Sequence, residues 1–158
     1  MMRFRLKRDR ADRAPQPKVD DAYRPQLQAR LAQAAPLVSD DAVRARIEAS
    51  PAGYALAHNA GDIARHATLL DPLPSTGEVR VISTPGREPG TWNLDIAAFD
   101  QPGLLAKFTG VLVHESIEIV RAVLATWDDG AALQALIVKT ASEPDVVALQ
   151  RALAWSLD

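Results

Sequence analysis

Apolar residues recur with two different periods along the chain, and the period changes at the proline-rich stretch 72–77. Before this stretch, apolar residues such as Leu27 and Leu31 recur every three or four positions, as on one face of a helix. After it, apolar and polar residues mostly alternate, as they do in strands. The pattern predicts an α+β fold in which residues 23–73 form a helical extension and residues 77–158 a mixed domain.

The helical extension is predicted to contain several short helices with recognisable start signals. Residues 39–41 (Ser-Asp-Asp) offer a cap and an acidic first turn, Ser50 is expected to cap a helix with Pro51 at its first position, and Asn59 is expected to cap the last helix. Such helices cannot bury their apolar faces alone, so we expect them to pack on the mixed domain or on another subunit. The expected buried side consists of Tyr54, Leu56, Ile63, Ala67 and Leu70.

The mixed domain is predicted to have the element order ββαββα, typical of a ferredoxin-like fold that lacks its closing strand. The first strand is expected to pair antiparallel with the second and so to take the place of the missing one; the alternative is an open sheet edge that pairs with another subunit. The strands are predicted at residues 78–83, 92–99, 117–127 and 131–140, and the helices at 103–115 and from 145 onward.

Composition and charge exclude several kinds of site and several classes of protein. The absence of cysteine excludes disulfides and cysteine-ligated metals, and no apolar run reaches the length of about 20 residues needed to span a membrane, so we expect a cytoplasmic protein. Residues 1–22 are predicted to be a disordered basic arm: residues 1–18 carry a net charge of +5, which leaves −7 on the rest. No aromatic-rich strand or recognition helix accompanies the arm, so nucleic-acid binding is not expected.

Candidate catalytic and metal-binding residues are few. His58, Asp62 and His66 are spaced by four positions and would share one face of an uninterrupted helix, but Gly61 and the cap at Asn59 interrupt it. No Ser-His-Asp arrangement, phosphate loop or carboxylate pair stands out. We therefore expect no metal, no cofactor and no enzymatic activity.

The sequence Asp100-Gln101-Pro102-Gly103-Leu104-Leu105-Ala106-Lys107-Phe108-Thr109, between a strand and an amphipathic helix and followed by a β-hairpin, resembles the ACT domain. The upstream stretch 51–70, with its Tyr-His-Leu-Leu pattern, looks like the segment preceding the ACT domains of the bacterial PII uridylyltransferase/uridylyl-removing enzyme. The chain has no room for the nucleotidyltransferase domain and no His-Asp doublet, so the resemblance implies regulation in nitrogen metabolism rather than catalysis. On this resemblance residues 77–158 form an ACT-like domain.

The resemblance implies an amino-acid site between two copies of the chain, with glutamine as the leading ligand. One copy contributes the strand–helix loop, where Asp100 would accept from the ligand ammonium and Gly103 would allow close approach of the backbone. The other copy contributes the start of its second ACT strand. The implied ligand-binding residues are Asp100, Gln101, Pro102, Gly103, Leu104 and Leu105 on one side and Ile117, Glu118 and Ile119 on the other.

The expected assembly is a homodimer or higher homo-oligomer that signals to a protein partner of unknown identity. Two alternatives remain open. One is a ligand-free dimerisation or protein-interaction module, since Gln101 replaces a common arginine and Glu118 would repel a ligand carboxylate. The other is a regulatory fragment of a uridylyltransferase-like enzyme, although Met1 and the basic arm favour a free-standing chain.

Overall fold

The computed structural model describes residues 15–158, with side chains from residue 22 onward. Four α-helices and a short 3-10 helix (Ala35–Leu37) precede a sheet of four strands, and two further α-helices lie within and after the sheet. The elements are α1 (Pro15–Ala34), α2 (Asp41–Glu48), α3 (Ala52–Ala57), α4 (Ala60–Leu70), β1 (Val79–Pro85), β2 (Thr91–Phe99), α5 (Leu104–His114), β3 (Glu118–Thr126), β4 (Ala131–Lys139) and α6 (Val146–Trp155).

The four strands form one antiparallel sheet in the order β1-β2-β4-β3. This α+β arrangement is compatible with a ferredoxin-like fold. The predicted pairing of the first two strands is confirmed: β1 lies antiparallel to β2, with Val81 opposite Ile96. Strand β3 forms the other edge, and its register with β4 shifts between Ile119 and Arg121.

The two edge strands of the sheet, β1 and β3, differ in how their outer sides are covered. At the β1 edge, the backbone N–H of Val81 donates to the side-chain oxygen of Gln150 on α6, at 2.9 Å, and the strand ends at Pro85, which has no N–H to offer. At the β3 edge, no described strand pairs with the outer side. Val120 and Leu124 are exposed there, at 56% and 47% of their surface.

Helices cover both faces of the sheet and create two apolar cores. One core joins α2, α3 and α4 to residues of β2, β3 and β4, including Ala97, Ala125 and Leu133. The other joins α5 and α6 to the opposite face, where Phe108 and Leu153 are fully buried. The expectation that the helical extension packs on the mixed domain is therefore confirmed.

Polar contacts join the helical extension to the end of the sheet that carries the β3–β4 turn. Arg46 on α2 donates two hydrogen bonds of 2.8 Å to the carboxylate of Asp129 in the β3–β4 turn. The indole N–H of the buried Trp127 donates to the backbone oxygen of Arg46 at 3.1 Å. The hydrogen bonds from Arg46 hold the pKa of the Asp129 carboxyl below its usual value.

The β3–β4 turn requires glycine at its last position. Gly130 has a φ of +96°, as the sequence predicts for this hairpin. A Cβ built there would lie 2.6 Å from the ring of Phe99, so both the backbone conformation and the space exclude a side chain.

The helix caps follow the sequence prediction with one exception. The side chains of Asp40 and Asn59 accept backbone hydrogen bonds at the starts of α2 and α4. The prediction that Ser50 caps α3 is wrong: Pro51 occupies the cap position and the buried hydroxyl of Ser50 has no hydrogen-bond partner among the described residues.

Helix α1 begins at Pro15, within the segment predicted as the basic arm, and residues 1–14 lie outside the described part of the chain. Over the residues that are described, none of the helices combines the length and the apolar character needed to cross a membrane.

Candidate functional site

The loop Asp100–Leu105 leads directly from the end of β2 into α5. The backbone N–H of Asp100 donates to the oxygen of Gly130 at 2.8 Å, which ties the loop to the neighbouring hairpin. Gly103 sits at the cap position with a φ of +77°. A Cβ at Gly103 would meet no atom within 4 Å, so its backbone conformation, rather than a close approach inside the chain, accounts for the glycine.

The start of α5 is open to a ligand. No side chain among the described residues caps its first turn, and the exposed Asp100 carboxylate makes no hydrogen bond with any described residue. Leu105 is 45% exposed, whereas Leu104 is buried in the core beneath α5. The uncapped N–H groups and the positive end of the helix dipole favour a bound carboxylate at this position.

The second group of predicted site residues lies at the start of β3. Ile117 is buried against α5 and α6, Ile119 is partly buried, and Glu118 is exposed opposite Lys139 of β4. Within this group, Glu118 is therefore the residue most available to a ligand.

The two groups of predicted residues are far apart within one chain. Phe99, just before the loop, pairs with Ala131 at one end of β4, whereas Glu118 pairs with Lys139 at the other end. The distance between them is the length of the sheet, about 27 Å at a rise of about 3.4 Å per residue. A single copy cannot place both groups on one small ligand.

A cavity of about 620 Å³ lies between α4 and the strands, on the face of the sheet opposite to α5 and α6. Its floor is formed by β2, β4 and β3 and its walls by the α3–α4 junction and the β1–β2 turn. None of the nine predicted ligand-binding residues lines it. The lining residues are Ala57, His58, Asn59, Asp62, Arg65, His66, Arg87, Glu88, Thr91, Asn93, Asp95, Val120, Arg121, Val123, Ala135, Leu136 and Ile137.

A chain of buried polar side chains lies beneath the cavity. The hydroxyl of Tyr54 and Nδ1 of His66 are 2.7 Å apart, and Nε2 of His66 lies 3.1 Å from the carboxylate of Asp95. Because the carboxylate is an acceptor, Nε2 donates to it and Nδ1 accepts from Tyr54. Burial raises the pKa of Tyr54 well above its usual value, assisted by the negative charge of Asp95, so the hydroxyl remains a donor.

Arg65 completes this network at the edge of the cavity. Its Nε donates to Asp95 at 3.2 Å and another of its nitrogens donates to Asp62 at 2.9 Å. Asp95 is only 3% exposed, so its charge needs these donors. The network links α3 and α4 to β2 and, with its hydrogen bonds satisfied internally, acts as a structural support for the cavity.

His58 is partly buried at the cavity wall. Its Nδ1 lies 3.0 Å from the backbone oxygen of Tyr54, and its ring lies at 86° to that of His66 with the centres 5.1 Å apart. Burial lowers the pKa of His58, so the neutral ring is favoured. Across the described residues, no group of three or more histidine and acidic side chains is arranged to hold a metal ion.

Sequence reasoning missed Asp95 as the acceptor at the centre of this network. His66 falls on the same helical face as Ile63, Ala67 and Leu70, which predicts burial, and a buried histidine requires an acceptor. That spacing was the available signal; the identity of the acceptor depends on the tertiary fold. No protein-family model, curated protein or solved structure matches the chain.

Proposed function

We propose that this protein is a non-catalytic, ACT-like regulatory module that binds a small amino acid between two copies of itself and signals that state to a protein partner. Glutamine is the first candidate ligand and nitrogen metabolism the first candidate setting, both from the sequence resemblance. The observation that carries the proposal is the separation of the two predicted half-sites at opposite ends of one sheet, next to a free edge strand.

Antiparallel pairing of two β3 edges would bring the half-sites to the same end of the combined sheet, with three strand spacings, about 14 Å, between β2 of one copy and β3 of the other. Because β3 runs in the same direction as β2, a two-fold axis through its middle places the start of one β3 beside the end of the other. Glu118 of the second copy then lies at the end of the sheet that carries the Asp100 loop of the first. Each dimer would contain two equivalent sites.

The exposed residues of the edge support such pairing. The side chains at Val120 and Leu124 would lose water contact against the second copy, and the outer N–H and C=O groups of β3 would gain hydrogen bonds. The Asp100 carboxylate is free to accept from an ammonium group, and the first turn of α5 can bind a carboxylate. A ligand held by both copies stabilises the dimer that carries it, which is the signal we propose.

A ligand-free dimerisation module is the second candidate. It is favoured by Glu118, whose exposed carboxylate would lie beside the carboxylate of a bound amino acid and repel it. In that case pairing of the β3 edges would serve assembly alone.

The test combines assembly with ligand binding. Leu124→Glu places a charge on the proposed interface, and Val147→Glu makes the same kind of change at an exposed apolar position on α6, away from that interface. We expect light scattering to give a dimer for the wild type and Val147→Glu and a monomer for Leu124→Glu.

Calorimetric titration with each of the twenty amino acids then separates the two candidates. A single amino acid that binds the wild type, and binds weakly to Asp100→Ala but normally to the surface control Asp41→Ala, supports the sensor. A dimer that binds none at millimolar concentrations supports the ligand-free module. A wild type that is monomeric and binds none contradicts both.

A further inference from the structure

None of the residues assigned to the proposed inter-subunit site lines the cavity between α4 and the sheet. At about 620 Å³ it is within the size range of small-molecule sites. Two alanines, Ala57 on its wall and Ala135 on its floor, leave the space open.

The charges around the cavity are only partly paired. Arg65 is held by Asp62 and Asp95, as described above. Arg87 approaches from the β1–β2 turn and Arg121 from β3, and neither forms a salt bridge or hydrogen bond with another residue that the structure describes. Of the three acidic residues that line the cavity, Asp62 and Asp95 are paired with Arg65, whereas Glu88 is exposed and forms no salt bridge with a described residue. Two arginines in the cavity lining that have no carboxylate partner of their own favour an oxyanion as ligand.

His58 adds a hydrogen-bond acceptor to the same cavity. Its Nδ1 must carry the proton, because the backbone oxygen of Tyr54 can only accept. In the neutral ring, which burial favours by lowering the pKa, Nε2 is then an acceptor with no bond to a described residue. A hydroxyl or amino group on the ligand would satisfy it.

We propose that this cavity binds a small metabolite that carries an oxyanion and a hydroxyl or amino donor, with Arg87 and Arg121 holding the oxyanion and His58 accepting from the donor. The oxyanion is a carboxylate or a phosphate. All residues that line the cavity belong to one copy of the chain, although Val120 and Arg121 lie on β3, the strand through which the dimer is proposed to pair.

Calorimetric titrations with L-malate, glycerol 3-phosphate and glycerol test this proposal at constant ionic strength. All three offer hydroxyl groups, but glycerol has no oxyanion. We expect the wild type to bind malate, glycerol 3-phosphate or both, which identifies the oxyanion class, and not to bind glycerol. Failure to bind either anion at millimolar concentrations would overturn the proposal.

Three arginine variants locate the binding. Arg87→Gln and Arg121→Gln each remove one cavity charge, and Arg151→Gln removes an exposed charge from α6 on the other face. We expect the two cavity variants to bind at least about ten-fold more weakly, the loss expected for one hydrogen bond to a charged group, and Arg151→Gln to bind normally. Equal affinities in all three variants would show that the anion binds elsewhere.

The test is independent of the proposed dimer. Arg87 lies in the β1–β2 turn, away from the β3 edge. Loss of anion binding in Arg87→Gln with an unchanged molecular mass would therefore support the cavity site whatever the outcome for the inter-subunit site.

Discussion

The substitution Asp95→Asn tests whether the polar network beneath the cavity holds the two halves of the fold together. It preserves the shape of the side chain but removes its charge. Asp95 is 3% exposed and accepts from Nε2 of His66 at 3.1 Å and from Nε of Arg65 at 3.2 Å. We expect a clear loss of stability because the asparagine amide cannot accept both hydrogen bonds as a carboxylate does.

The size of the loss follows from the burial of the pair. Removing one member of a buried ion pair typically costs about 3–5 kcal/mol. Arg65 is 30% exposed and keeps its bond to Asp62, which places this case near the lower end, at about 3 kcal/mol. For a chain of this size that corresponds to a fall in Tm of about 6–12 °C.

Urea denaturation followed by circular dichroism, together with a thermal melt, measures this loss. Asp41→Asn is the matched control, because Asp41 pairs with Arg44 but its side chain is 98% exposed, and we expect little change in its midpoint. If Asp95→Asn is no less stable than Asp41→Asn, the network does not stabilise the fold and our interpretation of it is wrong.

Three further predictions concern single residues. Gly130→Ala should lower the free energy of unfolding by about 2–4 kcal/mol, because the new Cβ strains the turn and meets the ring of Phe99. Gly53→Ala is the control, since nothing lies within 4 Å of a Cβ there, and equal urea midpoints for the two variants would contradict the steric argument. Because the pKa of His58 is lowered in the folded state, its contribution to the free energy of unfolding is fully present above the ordinary histidine pKa and decreases as the pH falls below about 6.5. His58→Gln should therefore make Tm vary less between pH 7.5 and 5, and an unchanged dependence of Tm on pH would refute the assignment to His58. Because the pKa of Tyr54 is raised in the folded state, its contribution to the free energy of unfolding is fully present below about pH 10 and is lost above it. In urea titrations, Tyr54→Phe should lose less stability than the wild type between pH 8 and 10.5, and an equal loss in both proteins would contradict this prediction.

The element order could be predicted from the sequence because its signals are local. Alternation marks β2 to within one residue, Asn59 caps α4 through the N–H three residues later, and Gly130 has the positive φ that its turn requires. Each of these signals depends on residues that are neighbours in the chain. The cap assigned to Ser50 failed because Pro51 itself takes the cap position.

The contacts that join the two halves could not be predicted from local patterns. Arg46 and Asp129 are separated by 83 positions, and the His66–Asp95 contact joins a helix to a strand beyond the proline-rich boundary. The cavity also depends on this docking, since its walls and floor come from different parts of the chain. Periodicity predicts that a helix has a buried face but not which strand covers it.

The difference between the two sheet edges limits how far self-association could extend. Growth into a filament requires two free edges on each copy, so that every added chain presents a new one. Here Gln150 occupies the N–H of Val81 and Pro85 ends β1 without a donor, which reduces the number of hydrogen bonds that edge can offer to an incoming strand. Pairing through β3 would use the more open edge on both copies, which favours an assembly that closes at two chains over one that propagates into fibres.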